Sequence, residues 1–250
     1  MIGSDDENLL AALIQARNVR PAHGSTDAPA PPRRSLCDWT ATVPPVPVTD
    51  IGPSRPLADI LTERVSRREF QPPTCDQIGL LTARSGLIRS SSTDQSGADI
   101  SHRAAPSPGA RHPFELAVAA QEVIGLSPGL WVLDVHAAVL RPGRITATRV
   151  NAAVAAVADA LHTQLPPPAV IFAVADPAQT LSRYPGGLSL LWREAGALLT
   201  LLHLIATDLK LESCIAGTVG VLCHDDSDAH AQIDLGAIAL GAPSMAGITD

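Results

Sequence analysis

Apolar positions along the chain fall into a few periods. In Asp5 to Val19, Leu9, Leu10, Leu13 and Ile14 share one helical face, which predicts a short helix. The pattern then breaks in a Pro-rich stretch, residues 20–56, that includes PAPPRR and VPPVPV. Proline lacks a donor and disfavours helix at the residue before it, so an extended path is expected, as a linker or as a strap wrapping the domain or a partner. From Pro56 onward, Leu57, Ile60, Leu61 and Val65 are spaced for a helix facing a core, and that helix runs into the basic Arg64-Val-Ser-Arg-Arg68. A second short helix is expected over Cys75 to Ser85, with Asp76 near its N-terminus, and Ser90 to Ala105 is polar and aperiodic, hence a loop.

Three apolar runs predict strands at Phe114 to Ala120, Leu130 to Leu140 and Ala169 to Ala175, with an Ala-rich helix over Arg149 to Leu161 between the last two. From Leu188 to Leu209 the apolar stripe is too wide for a helix buried on one side only, which suits a central helix or a dimer interface. Gly217 to Leu222 and Ile238 to Leu240 predict two short final strands. Strands mixed with helices, without a regular β-α-β rhythm, indicate an α+β fold. No G-x-G-x-x-G follows a strand, which argues against a Rossmann nucleotide site.

Composition narrows the function classes. The chain has 250 residues, enough for one substantial domain with an appendage, and the break at Pro56 divides it into 1–55, a helix with a Pro-rich linker or strap, and a domain over 56–250. Its net charge is −7 and Lys210 is its single lysine, with the arginines scattered, so no nucleic-acid partner is expected. Cys37, Cys75, Cys214 and Cys223 make no C-x-x-C pair, and MIGSDDENLL lacks a secretory pattern, so reduced thiols and a cytoplasmic location are expected. The most apolar window, Gly187 to Ala206, holds Arg193, Glu194 and His203, which favours a core helix over a membrane span.

Three constellations could carry chemistry. Arg64-Val-Ser-Arg-Arg-Glu-Phe70 places guanidiniums and a hydroxyl where they can grip a phosphate, or it is a solvated basic helix end. Arg103 to Leu116 contains Pro106, Pro108, Gly109 and Pro113, a rigid turn able to hold backbone amides and Ser107 against a flat ligand. Arg111 and His112 add donors there, unless the segment is only a strand-entry loop with a surface His112. Arg183-Tyr184 sets the chain's single tyrosine beside a cation, as an acid–base phenol or as a loop tyrosine. A fourth cluster, Cys223-His-Asp-Asp-Ser-Asp-Ala-His230, fits no common zinc spacing, so no metal is expected.

In order and spacing these motifs resemble the nitroreductase superfamily, and most closely its SagB-type dehydrogenases, over roughly residues 56 to 242. R-x-S-x-R-x-F is Arg64 to Phe70, P-S-x-G-x-x-H-P-x-E-L is Pro106 to Leu116, and G-L-x-x-x-D is Gly129 to Asp134. The Arg-Tyr pair, Glu194-Ala-Gly196 and Leu209-Lys-Leu-Glu-Ser-Cys214 are similar to that group's Lys-Tyr, L-x-E-A-G and L-G-L-x-S-C elements. The resemblance implies a mixed or antiparallel sheet flanked by helices, and a homodimer with a long interface helix and FMN. Arg64, Ser66 and Arg68 would lie on the phosphate and ribityl side, with Ser107, Pro108 and Gly109 against the isoalloxazine, Arg111 beside them, and Gly217 approaching from the strand after the long helix.

The same resemblance implies oxidation of thiazolines or oxazolines in a ribosomal precursor peptide, with Tyr184 and Arg183 as catalytic pair and a cyclodehydratase as partner. Two departures matter. Arg183 stands where the pattern has Lys, and no Arg or Lys follows Leu240-Gly-Ala-Pro243. An NAD(P)H-dependent nitro or quinone reductase, a cyclic-dipeptide oxidase and a flavin-free scaffold subunit are the alternatives.

Overall fold

The computed structural model describes residues 32–93, 99–184, 186–223 and 232–244. The expected helix at Asp5 to Val19 and most of the Cys223–His230 cluster lie outside these residues. Nine strands and five helices are described: β1 (Val46–Pro47), α1 (Leu57–Glu63), α2 (Cys75–Gly86), β2 (Ser90–Thr93), β3 (Asp99–His102), β4 (Phe114–Ala120), β5 (Gly129–Asp134), β6 (Val139–Pro142), α3 (Ala147–Leu161), β7 (Ala169–Ala175), α4 (Pro177–Leu181), α5 (Leu188–Asp208), β8 (Glu212–Val219) and β9 (Ile233–Gly241).

A seven-stranded sheet in the order β1-β6-β5-β4-β7-β9-β8 forms the centre, antiparallel at every pairing. All seven residues of β7 are buried, because the sheet is covered on both sides. Successive side chains point to opposite faces. Ala169, Ile171, Ala173 and Ala175 therefore join Leu191, Leu198 and Leu202 of α5 and Ile78 and Leu81 of α2. Val170, Phe172 and Val174 join Val150, Val154 and Val157 of α3. This explains why β7 reads as a continuous apolar run instead of an alternating one.

Several sequence expectations change. Leu130 to Leu140 is not one strand: it folds into the β5–β6 hairpin, with Leu133 opposite Leu140. Ser90 to Ala105 is not wholly loop, since β2 and β3 pair from Ser90↔His102 to Thr93↔Asp99. Their polar side chains hide them from a reading based on apolar periodicity. The last two strands lie at Glu212–Val219 and Ile233–Gly241, wider and shifted from the apolar cores that suggested them.

Part of the Pro-rich stretch packs on the domain. Leu36 and Cys37 are buried, Cys37 bridges Gly143, and β1 pairs with β6. Leu36 N donates to Glu115 Oε2 at 2.9 Å. α5 is long and apolar enough to cross a membrane. It nevertheless buries Leu191, Ala195, Leu198, Leu199, Leu202 and Ala206 as a core helix, and it leaves Leu188 and Trp192 exposed.

Candidate functional site

The segment between β3 and β4 is tightly built. Ser107 is extended, Pro108–Ala110 makes a single 3-10 turn, and the chain then enters β4. Gly109, Ala110 and His112 have φ of 61°, 52° and 45°. L side chains rarely adopt this left-handed region, and each non-glycine residue held there costs on the order of 1 kcal/mol.

Side-chain contacts hold that conformation. Ser107 Oγ accepts from the His112 amide at 2.8 Å, and His112 Nε2 donates to the Ser101 carbonyl at 2.6 Å. Arg33 donates one terminal nitrogen to the His112 carbonyl at 2.7 Å and the other to the Arg111 carbonyl. His112 is therefore not a surface residue: it is 6% exposed. Burial, reinforced by the nearby Arg103 charge, lowers its pKa to about 4, so near neutrality it is an uncharged donor and only a weak base.

Tyr184 reaches the same loop from α4 and the turn after it. Asp176 caps α4 by accepting from the Ala178 amide at 3.2 Å, and the turn ties the Tyr184 amide to the Thr180 carbonyl at 2.9 Å. A Cβ added to Gly109 would lie 2.7 Å from the Tyr184 hydroxyl. Only glycine suits both that contact and the backbone angle. Ser107, Pro108, Gly109 and Tyr184 thus come together, with Arg183 half-buried next along the chain.

Sequence alone gives Glu194 no chemical role, yet it belongs to this assembly. It is 6% exposed on the core face of α5 and hydrogen-bonds Ser107. Burial raises its pKa to about 7, while the Ser107 bond and the charges of Arg103 and Arg33 pull the other way. Among the described residues Glu194 Oε2 and Arg103 Nε have no hydrogen-bond partner. Both residues line a cavity of about 20 Å³, room for one water, which also borders Ser85 and His112. The signal available in the sequence is a carboxylate between Leu191 and Leu198 on an otherwise apolar stripe.

On the strap side of the loop lies a cleft of about 330 Å³, lined by Arg33, Trp39, Arg103, Glu115, His136 and Asp176 among others. Arg111, within the loop, is buried.

The second group lies elsewhere. α1 closes at Glu63 with Arg64 as its C-cap, so the basic run begins at a helix end as expected, and Ser66 and Arg68 sit in the non-helical segment after it. All three are exposed. The segment is pinned at Arg67, whose amide donates to the Ser213 carbonyl at 2.9 Å, and at Arg64, 3.4 Å from His203 Nε2 on α5. His203 and Glu194 are nine positions apart, so the two groups attach to α5 about 14 Å apart along its axis. Gly217 lies on the edge strand β8 between exposed Ile215 and Val219, with nothing within 4 Å of where a Cβ would stand. Within one chain, the basic segment and the braced loop are therefore separate patches.

No protein-family profile and no curated protein matches the chain. Solved structures do. A protein of Ralstonia eutropha assigned as a nitroreductase superposes with a TM-score of 0.59 at 18% identity, over 83% of this chain and 98% of that one. One from Anabaena variabilis, likewise assigned, gives 0.54 at 19% over 82% and 42%. A chain of the E. coli microcin synthetase McbBCD complex, with truncated pro-MccB17 bound, gives 0.54 at 13% over 97% and 95%. At these identities the likeness establishes the fold, which is nitroreductase-like.

Proposed function

We propose that the chain is an FMN-dependent dehydrogenase that oxidises thiazoline or oxazoline rings of a ribosomally made peptide to thiazoles or oxazoles. The observation that carries this reading is the Tyr184 hydroxyl seated over Gly109 in a strained, fully braced loop. Backbone strain persists only where its surroundings over-determine it, and such places cluster at sites that must be pre-organised.

The residues present suit FMN. Arg64, Ser66 and Arg68 form an exposed donor set for a dianionic phosphate, and Gly109 is exposed beside the Tyr184 hydroxyl, where a flat ring would meet both. Gly217 leaves an open gap in the face of β8 for the same ring or for a second subunit. In this reading two chains assemble across the exposed Leu188 and Trp192 of α5, and Arg111, buried within the loop, is a cofactor-side donor beside Ser107, Pro108 and Gly109. When bound, FMN supplies the two-electron acceptor that the ring oxidation requires.

The chain's own residues orient the substrate and handle its proton. Tyr184 takes the ring Cα proton, since a guanidinium is a donor and not a base. Arg183 holds a positive charge beside the phenol and the incoming peptide. The likeness to a chain from a peptide-bound synthetase complex supports a peptide-modifying complex as the setting, in which the proposed substrate is a precursor peptide and the proposed partner a cyclodehydratase.

The test is an azoline peptide incubated with purified protein and FMN. Loss of about 2 Da per ring, abolished in Tyr184→Phe, is expected. Loss that continues unchanged in Tyr184→Phe removes the role given to that phenol. Rapid bleaching of the flavin by NAD(P)H would favour a nitro or quinone reductase, and a colourless protein that takes up no FMN would favour a scaffold subunit.

A further inference from the structure

We propose that Arg33, in the N-terminal strap, is a positioning residue: its guanidinium holds the Ser107–His112 loop in the shape that sets Gly109 beneath the Tyr184 hydroxyl. The catalytic meaning of that contact rests on the dehydrogenase reading; the clamp itself does not.

The loop needs a clamp. Three of its residues, two of them not glycine, sit in the left-handed region within four positions. Without external bonds they would relax to commoner angles. Arg33 meets this need with a fork, donating to the carbonyls of two consecutive residues, Arg111 and His112. A planar guanidinium spans two acceptors at fixed spacing, whereas an ammonium acts as a point charge.

The strap is itself anchored next to the clamp. The Arg34 amide donates to Asp176 Oδ2 at 3.1 Å, and the Arg34 carbonyl accepts from Gln232 Nε2 at 3.3 Å. Asp176 is also the cap of α4, the short helix that delivers Tyr184. Adjacent strap residues therefore hold both partners of one contact, Arg33 the Gly109 side and Arg34 the Tyr184 side. Arg33 as a whole residue is exposed, while its guanidinium end is held against the loop carbonyls. Burial there lowers its pKa, against which the Asp176 and Glu115 charges act.

Hydrogen exchange on the full chain, Arg33→Ala against wild type, tests the clamp with or without flavin. The amides of Gly109 to His112 should exchange at least about tenfold faster in Arg33→Ala, with those of β7 unchanged. Arg33→Lys should fall between the two, and it serves alone if the alanine variant does not fold. In FMN-loaded protein Arg33→Ala should lower kcat for azoline oxidation about tenfold to a hundredfold with little change in KM. Guanidinium ion at millimolar concentration should restore part of the loss. Wild-type exchange at Gly109 to His112 in both variants overturns the clamp. Faster exchange with an unaltered kcat overturns its positioning role. A wild-type protein that binds no FMN refutes the dehydrogenase reading instead, and the exchange result still decides the clamp.

Discussion

The Ser107–His112 loop and the Arg64–Arg68 segment are both arginine-supported and both candidates for one ligand, yet they are built in opposite ways. The loop directs its polar groups inward: Ser107 Oγ to the His112 amide, His112 Nε2 to Ser101, and Arg33 to two carbonyls. In the segment, Arg64, Ser66 and Arg68 stay exposed, and the backbone at Arg67 and the contact of Arg64 with His203 fix the path. Under the proposed function the contrast is a division of labour. Where reacting atoms must meet within a few tenths of an ångström, the chain sets the order in advance. Where a mobile phosphate is to be caught, donors left in water suffice and the ligand completes the order.

The largest effects should come from the rigid side. Tyr184→Phe keeps the ring and removes the hydroxyl, so azoline oxidation should fall by about 10²-fold to 10⁴-fold with FMN affinity nearly unchanged. Gly109→Ala attacks the same contact sterically. Its Cβ would stand 2.7 Å from the phenol oxygen at a φ of 61°, so activity should drop about a hundredfold and stability by about 1–2 kcal/mol in thermal unfolding. Full activity in the Gly109→Ala variant would show that the loop is looser than its bonding implies.

Two buried groups give the loop opposed pH dependences. Glu194 titrates at about 7 when folded against 4.5 for an ordinary glutamate. Between those values the unfolded chain releases a proton that the fold keeps, so this contribution is full below pH 4.5 and lost as pH rises to 7. The size is about 3 kcal/mol at most. His112, at about 4 against 6.5, works the other way: it contributes fully above pH 6.5 and is lost as pH falls toward 4. The two slopes nearly cancel. Glu194→Gln should therefore gain stability relative to wild type steadily from pH 4.5 to 7, by denaturant unfolding at several pH values. A constant difference across that range would mean that Glu194 is not held protonated by burial.

Legibility in the sequence follows the same divide. β7 and α5 can be read because burial on a broad apolar front leaves long uninterrupted or periodic patterns, such as Ala169 to Ala175. β2 and β3 cannot, since Ser90 to Thr93 carries no apolar alternation. Pro106, Pro108 and Gly109 announce a rigid turn, and Tyr184 is a candidate from its neighbour Arg183. Nothing local joins the two, because Gly109 and Tyr184 meet only through the fold. Glu194 and Arg33 escape a sequence reading for a related reason. Their roles come from which carbonyls and hydroxyls lie opposite, and a Pro-rich strap gives no periodic signal of where it lands.

The smaller effects lie on the open side and ask whether it is truly idle without a ligand. Arg64→Ala and Arg68→Ala should each weaken FMN binding by about 1.5–3 kcal/mol, the worth of a charge-assisted bond, read by flavin fluorescence titration. Neither should change apo stability by more than about 0.5 kcal/mol, except that Arg64 also touches His203. Arg67→Ala is the control. Its ion pair with Glu212 spans 3.6 Å at the surface and is worth at most about 1 kcal/mol, and its amide bond to Ser213 survives the substitution. If Arg67→Ala weakens FMN binding as much as Arg68→Ala does, the donors act as a diffuse charge and not as a placed set. The segment would then owe its contribution to net potential, which rising salt would erase for all three variants alike.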